Sequence, residues 1–489
     1  MRRINRRSFL KATALGALAL ADRSTAESSK GKTFRLTRDI PVEEGFDLIV
    51  AGGGPAGAAA AISAARLGAR VLLLEAMGSL GGMGTNGLVS YWFSLTDGVR
   101  SVVGGLMTEL IQALCREQTV SPPALEKFKK GLPIDAIGFQ PESLKLLLDR
   151  LCREAGVEVR FFTRVVEADA DREQRRVHGV ITSSLEGLRY LRARTYIDAT
   201  GDAVLADLCG ATARAAGRDT PKIMPPTLCA TVSGIDFERF NKKNQQAMVE
   251  KAIADGFFSQ PDRHVPGIIR NSPGNIAMMN AGHLFGTDAL KTRSLSDAMM
   301  RGRLLVQEYA AFYRKYMPGC EHLQVVATGA LLGVRESRRI VGEYELNYAD
   351  FKSRRHFPDQ IAVYSKAIDI HVYDLSPEEY KRYHDEYTKL DRPKRGESYG
   401  LPYGILVPKG WQNLWVAGRC NSSDVKVHGA IRDQPACSMM GQAAGTAAVQ
   451  SLATGQPACD LDTARLVETL RKQGAYLPQK TLRREMTRS

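Results

Sequence analysis

Apolar residues follow two rhythms along this chain, and the places where the rhythm changes divide it. Residues 46–51 (Phe-Asp-Leu-Ile-Val-Ala) are a short apolar run that ends on Gly52, Gly53 and Gly54. Residues 58–67 then carry almost only small side chains, and residues 70–74 form a second apolar run closed by Glu75. Short apolar runs bounded by glycine suit buried strands, and the longer small-residue stretch suits a helix, so this reads as strand, tight turn, helix, strand. Helical spacing follows at about 103–117 and 141–155. Residues 157–161, 164–169, 177–183 and 189–197 read as strands, the last three joined by short polar turns as in an antiparallel meander. From about residue 217 to 396 the pattern breaks into short segments punctuated by Pro221, Pro225, Pro226, Pro261, Pro266 and Pro273, with one amphipathic helix expected from about 294 to 316. Near residue 401 the first rhythm returns. Residues 412–417 read as a buried strand, and residues 436–452 as a helix of very small side chains. The expected organisation is a nucleotide domain in two parts, 45–216 and 397–455, an inserted substrate domain at 217–396, and a tail at 456–489. The fold class is α/β.

Chemistry enters with the spacing of the first glycines. In Gly52-x-Gly54-x-x-Gly57, Gly52 allows the tight turn, Gly54 lets backbone approach a pyrophosphate, and Gly57 lets helix and strand pack closely. Pro55 and Ala56 open the helix, whose N-terminus offers unpaired NH groups to an anion. Glu75 is placed to accept hydrogen bonds from ribose hydroxyls and would repel a 2′-phosphate, which disfavours NADP; Ala76 follows it. The stretch 76–87, with Gly81, Gly82 and Met83, is too glycine-rich for a regular element and bare enough to lie against a flat ring. Two more close approaches are expected: Thr200, Gly201 and Asp202 after the meander, and Gly418 with Arg419 after the late strand.

Charge and composition alter the picture only at the N-terminus. Hydrophobic residues at 44% and charged ones at 25% are ordinary for a globular chain. The first 26 residues place Arg6 and Arg7 before a mild apolar run, which looks like a twin-arginine export signal with small-residue cleavage sites at Ala21 or Ala26. Its run is too short to span a membrane, and no stable insertion is expected once it is removed. Removal takes away a net five of the +14 charges, leaving +9, spread along the chain rather than clustered, so nucleic acid is not an expected partner. The expected location is periplasmic or extracytoplasmic. Eight cysteines stand without CxxC or Cys/His spacing, which indicates neither a disulfide scaffold nor a metal site.

Two stretches are candidates for catalysis. Residues 420–435, flanked by two expected cofactor contacts, contain His428, Arg432 and Asp433. His428, with an ordinary pKa near neutrality, is the candidate general base. Arg335-Glu336-Ser337-Arg338-Arg339 reads equally as an ion-pair knot on Glu336 or as an anion clamp, in which Arg335 or Arg338 joins Arg432 on a carboxylate or oxyanion.

Together these residues resemble the FAD-dependent oxidoreductases of the glutathione-reductase-like superfamily. More closely, they resemble a bacterial family with a Gly81-Gly82-Met83 loop, an Arg335 to Arg339 segment and a late block running from Asn413 through Arg419 to Gly445. The resemblance covers nearly all of 46–452. It implies a Rossmann-like FAD-binding domain of glutathione-reductase type with an inserted α+β substrate domain, and non-covalent FAD. It implies that Gly52, Gly54 and Gly57 cradle the pyrophosphate, that Glu75 holds the adenosine ribose, and that Pro55, Ala56, Ala76 and Val165 also bind the cofactor. Gly81, Gly82 and Met83 would line the flavin, Thr200, Gly201, Asp202, Gly418 and Arg419 would contact FAD, and Gly441, Gln442, Ala443 and Ala444 would sit by the pyrimidine edge. The resemblance names no substrate; the activity expected is hydride transfer between flavin N5 and a small, polar or anionic substrate, with an external electron acceptor or donor as a further partner. A fumarate-reductase-like enoate reductase fed from outside and a non-catalytic flavin relay remain open beside it.

Overall fold

The computed structural model describes residues 33–387 and 389–478, so the expected export signal lies outside the described residues. The chain divides at residue 40 into two units. In the first, residues 33–40 carry no regular secondary structure; the rest of the description concerns the second. Among the described residues no helix is long and apolar enough to cross a membrane.

The expected βαβ unit is present. Strand β1 (Val42–Ala51) leads through the glycine turn into helix α1 (Pro55–Arg66) and back into β2 (Val71–Leu74), parallel to β1 with Ala51 opposite Leu74. Helix α2 (Pro141–Ala155) precedes β3 (Glu158–Arg160), which extends the sheet beyond β2. Strands β4 (Arg164–Asp171), β5 (Arg176–Ser184) and β6 (Gly187–Asp198) form the antiparallel meander that the polar turns predicted. The end of β6 runs parallel to β1 and sets Asp198 beside Ala51.

Residues beyond the meander build a second sheet. Strands β7 (Ala230–Ser233), β8 (Gly267–Arg270), β9 (Ala277–Asn280) and, after helix α3 (Thr292–Tyr316), β10 (Gln324–Thr328) pair antiparallel in the order β8-β9-β7-β10. Helix α3 buries Tyr309, Phe312, Tyr313 and Tyr316 in a hydrophobic cluster of its own with Leu228 and Ile268. Apolar residues of 346–364 and 399–407 instead belong to the core that holds α1. There the strand pair Gln360–Tyr364 and Tyr399–Pro402 runs across residue 396, where the sequence places a boundary.

The last elements return to the first sheet. Strand β11 (Leu414–Val416) lies parallel to β6, with Val416 beside Asp198, and helix α4 (Gln434–Thr454) packs along α1. Ala51, Leu74, Asp198 and Val416 thus end neighbouring parallel strands at one edge of the sheet, and the loops they feed open there, as in other doubly wound sheets. The two small-residue helices meet backbone to backbone. A methyl group on Gly441 would overlap the Ala56 carbonyl oxygen, and one on Gly445 the Ala60 carbonyl oxygen.

That contact yields a prediction. Gly445→Val should cost about 1–3 kcal/mol in urea unfolding, the usual penalty of overpacking a tight core. Unchanged stability would show that α1 and α4 separate at little cost.

Candidate functional site

The glycine turn has the shape that a pyrophosphate requires. Gly52 adopts φ +97°, and a side chain there would meet the Ala199 carbonyl oxygen at 2.6 Å. A methyl on Gly57 would overlap the Gly52 carbonyl oxygen, so helix and strand touch through bare backbone. Gly54 differs from both: nothing lies within 4 Å of the place where its side chain would stand. Gly54 is also the N-cap of α1 and supplies no side-chain cap, which leaves the first-turn NH groups facing that open space. Gly81 donates from its NH to the Gly53 carbonyl (2.8 Å), and Gly81 and Gly82 both take positive φ, folding the bare loop onto the turn. These features fit the diphosphate of FAD.

Glu75 does more than the sequence assigns to it. Its two carboxylate oxygens accept from the NH groups of Gly53 and Met77, both at 2.7 Å, and so tie the end of β2 to the glycine turn. Burial pushes its pKa up, against those two NH groups. Each oxygen keeps a lone pair for a ribose hydroxyl. The Glu75 carbonyl accepts from Thr163 NH (2.9 Å), which brings the start of β4, with Val165, to the same edge as Ala76.

The opposite side of the edge is braced by Arg419. Its Nε donates to the Gly201 carbonyl (2.9 Å), its Nη2 pairs with Asp202 Oδ1 (2.5 Å), and its Nη1 donates to the Val334 carbonyl. Ser337 Oγ donates to the same Asp202 oxygen at 2.6 Å. The arginine segment is therefore bolted to the turn Thr200-Gly201-Asp202, whose Thr200 is held by the buried Asp198 carboxylate.

The structure takes Arg338 out of the expected clamp and leaves Arg335 with Arg432. Arg338 pairs with Asp207 (2.8 Å) and donates to the Asp202 carbonyl (3.3 Å), so it does not join Arg432. Arg335 is buried, and its partners are neutral oxygens: the Pro225 carbonyl, and Thr227 Oγ1 at 3.3 Å from both Nη1 and Nη2. Burial first, and then Arg432, lower its pKa to about 10. Glu336 anchors no ion-pair knot: its Oε1 accepts from Met224 NH (2.5 Å), while Arg339 pairs with Asp219 (2.5 Å).

His428 requires correction. It is fully buried, its Nε2 donates to the Arg419 carbonyl (2.8 Å), and its Nδ1 has no partner. Burial first, then Arg339 and Arg432, hold its pKa well below the ordinary imidazole value, so it stays neutral instead of titrating near neutrality. The expectation for Gly441, Gln442, Ala443 and Ala444 also meets a packing role. Gly441 lies on Ala56, Gln442 accepts from Leu106 NH (3.0 Å) and donates to Gln473 (3.0 Å), and Ala443 and Ala444 are fully buried.

Sequence reasoning missed a polar cluster between the second sheet and α4. Asp262 Oδ2 lies 2.7 Å from His283 Nδ1, and His283 Nε2 lies 2.9 Å from His371 Nδ1. His371 Nε2 lies 3.5 Å from Asp369 Oδ1, while Asp369 Oδ2 receives Lys366 Nζ (3.4 Å) and Arg432 Nη2 (3.3 Å). Lys366 also reaches Asp433 (3.5 Å), the N-cap residue of α4. The ring of His264 packs 4.7 Å from that of His371. Of its members the sequence singled out only Arg432 and Asp433; the histidines stand far apart in proline-broken segments, with no spacing that links them.

Comparison with known proteins places these features in a family. The model of the family described as FAD dependent oxidoreductase matches residues 47–470. No curated protein matches the chain. Among solved structures it is similar to a geranylgeranyl bacteriochlorophyll reductase-like protein from Thermoplasma acidophilum, at 13% identity over 88% of this chain and 83% of that one, TM-score 0.45. It is similar to the flavin-dependent brominase Bmp2, at 13% identity over 88% and 83%, TM-score 0.42. It is also similar to the OxyS anhydrotetracycline hydroxylase from Streptomyces rimosus, at 13% identity over 88% and 65%, TM-score 0.37. At these scores none of the three informs the chemistry of this chain.

Two predictions follow from the geometry. Gly54→Ala should fold with unchanged apoprotein stability, because its methyl enters open space, yet hold FAD at least about 10-fold more weakly in a fluorescence titration. Retained affinity would place the diphosphate elsewhere. The second concerns acid stability. Burial, then His283, lowers the pKa of His264 to about 4. The unfolded chain therefore binds the proton first, and stability falls as pH drops from about 6.5 toward 4. Between pH 7 and 5 the protein should lose about 2 kcal/mol more than His264→Gln in denaturant titrations. Equal losses would show that His264 is not held neutral.

Proposed function

We propose, for a chain that belongs to the FAD dependent oxidoreductase family, that it moves a hydride between flavin N5 and a small anionic substrate. The enzyme is an FAD-dependent oxidoreductase. FAD, when bound, supplies the two-electron chemistry, and the protein supplies position, charge and proton handling. The observation that carries the substrate class is Arg335. A buried guanidinium held by a carbonyl and a hydroxyl, with Arg432 near enough to lower its pKa, lacks the carboxylate that a buried cation ordinarily keeps. An anionic group on the substrate provides that partner, and the paired donors of a guanidinium suit a carboxylate.

The adenosine half is held at Glu75, Ala76 and Val165 in this reading, and the diphosphate at Gly54 and the first turn of α1. Gly81, Gly82 and Met83 face the ring from one side, and Arg419 with Thr200, Gly201 and Asp202 closes the other. The parallel sheet continued into a meander supports the glutathione-reductase type of nucleotide domain. The second hydrophobic cluster supports a substrate domain within 217–396. The N-terminal Arg6-Arg7 segment supports twin-arginine export, which suits a protein that folds around its cofactor before crossing the membrane. An external electron acceptor or donor completes the cycle.

The test is anaerobic bleaching of the bound flavin by a panel of anionic and neutral donors. An anionic donor should bleach it, and Arg335→Met should weaken that donor's apparent affinity roughly 10–100-fold while FAD stays bound, the size of a lost charge-assisted hydrogen bond. Bleaching by neutral donors alone, indifferent to Arg335→Met, would overturn the anionic class. Export has a separate check. Replacing Arg6 and Arg7 by Lys should leave the precursor in the cytoplasm, because that pathway reads the guanidinium pair. Undiminished periplasmic protein would refute it.

A further inference from the structure

We propose that His371 takes the hydroxyl proton of the substrate as its hydride leaves, and that His283 and Asp262 behind it form a relay that carries the positive charge inward. The inference rests on the hydride-transfer reading and adds to it the base and the functional group oxidised, a carbinol.

The tautomers follow by elimination. Asp262 is fully buried; its Oδ1 accepts from His264 NH (2.9 Å) and from the Tyr380 hydroxyl (3.0 Å), and its Oδ2 faces His283 Nδ1 at 2.7 Å. A carboxylate only accepts, so His283 carries its proton on Nδ1. Burial outweighs Asp262 and keeps His283 neutral, which leaves Nε2 as a lone pair. His371 Nδ1, 2.9 Å away, must then donate to it. His371 is neutral for the same reason, so its Nε2 is also a lone pair, and it looks toward Asp369 Oδ1 across 3.5 Å. Desolvation by the surrounding protein favours the neutral acid, but Lys366, His371 and Arg432 outweigh it and hold the Asp369 carboxylate well below the usual range. The 3.5 Å between His371 Nε2 and the Asp369 carboxylate is at the outer limit of a hydrogen bond, so this outer nitrogen is where an O–H or N–H from outside can bind.

Exposure gives the chain a direction. The side chain of Asp369 is 37% exposed, that of His371 6% and that of His283 1%, so the series runs from a solvent-reachable edge into a sealed interior. A hydroxyl laid against the outer end donates to His371 Nε2, with Arg335 and Arg432 on hand for an anionic group beside it. As the C–H electron pair departs, the C–O bond becomes C=O and the O–H proton passes to His371 Nε2. The proton on His371 Nδ1 moves to His283 Nε2, and the positive charge comes to rest against the Asp262 carboxylate. The reverse order delivers a proton to a carbonyl that is being reduced. His371 is then the catalytic residue, and His283 and Asp262 act through it.

The groups around His371 fix the sign of its pH dependence. His264 and His283 face it from the second-sheet segment, Asp369 and Lys366 from its own loop, and Arg335 and Arg432 from the arginine segment and the approach to α4; Tyr383 meets the His264 ring at 5.6 Å. Burial, then Arg335, favours the neutral form over the pull of Asp369. The base is free at neutral pH, and flavin reduction should slow only as acid protonates it.

The experiment uses the FAD-loaded enzyme in two arms. In the first, long-range proton–nitrogen NMR of the histidine-labelled protein should show His283 and His371 both as Nδ1–H tautomers. Asp262→Asn should displace the His283 signal, and His371→Gln and His283→Gln supply the assignments. An Nε2–H tautomer at either residue overturns the relay. In the second, anaerobic flavin bleaching is followed with lactate, malate, tartrate and glycolate and with their O-methyl ethers. One acid should bleach and its ether should not. His371→Gln should slow bleaching by about 100-fold and remove its fall at acid pH, while reduction by dithionite is unchanged. His283→Gln should shift the acid midpoint. Bleaching by His371→Gln at the original rate and pH profile overturns the base and leaves the hydride reading intact. Failure of every donor to bleach a flavin that dithionite reduces overturns the hydride reading, and the base with it.

Discussion

The contact of bare backbone between β1, α1 and α4 is the constraint on which the rest depends. Gly57 lies on the Gly52 carbonyl, and Gly441 and Gly445 lie on the Ala56 and Ala60 carbonyls. Helix α1 is buried along nearly its whole length, and only small side chains let it sit between sheet and helix at that distance. Its position is therefore rigid, and so is the aim of its N-terminus at the open space before Gly54. Closely packed interiors transmit displacement, so a methyl group two turns along α4 would be felt at the phosphate cradle.

Charge is arranged around that rigid edge in two ways. Arg419 spends its guanidinium on structure, with donors to Gly201, Asp202 and Val334, and thereby joins three segments remote in sequence. The cluster of Asp262, Asp369, Asp433, Lys366 and Arg432 is a different kind of object. Removing an ion from water costs several kcal/mol, and such a group persists where partners recover most of that cost. Lys366, 3% exposed, does so with two carboxylates. Arg335 has only neutral partners, and that imbalance distinguishes the cluster from a structural ion-pair network.

The hydrophobic pattern made the first half of the architecture legible because it is local. The β1-turn-α1-β2 unit, the meander and helix α3 each lie in one contiguous stretch, and each declares itself by spacing: glycines at 52, 54 and 57, a period of two, and a period near 3.6. The boundary at 396 was less legible. Residues 360–364 have the composition of an ordinary strand, and only their partner, Tyr399–Pro402, shows which core they enter.

By itself the sequence determined the α/β class, the dinucleotide turn and the acidic residue after β2, because those properties reside in neighbouring residues and in backbone sterics. What the tertiary structure decided was which side chains share a dielectric. Arg335 and Arg338 are three residues apart and look alike on paper, yet one is sealed beside Arg432 and the other pairs with Asp207 near the surface. His428 has the chemistry of a base, but the fold seals it in the interior with its Nε2 proton committed to the Arg419 carbonyl. His283 and His371, 88 residues apart, become hydrogen-bonded neighbours through folding alone. Burial and long-range charge are properties of the assembled fold, and no local pattern of residues encodes them.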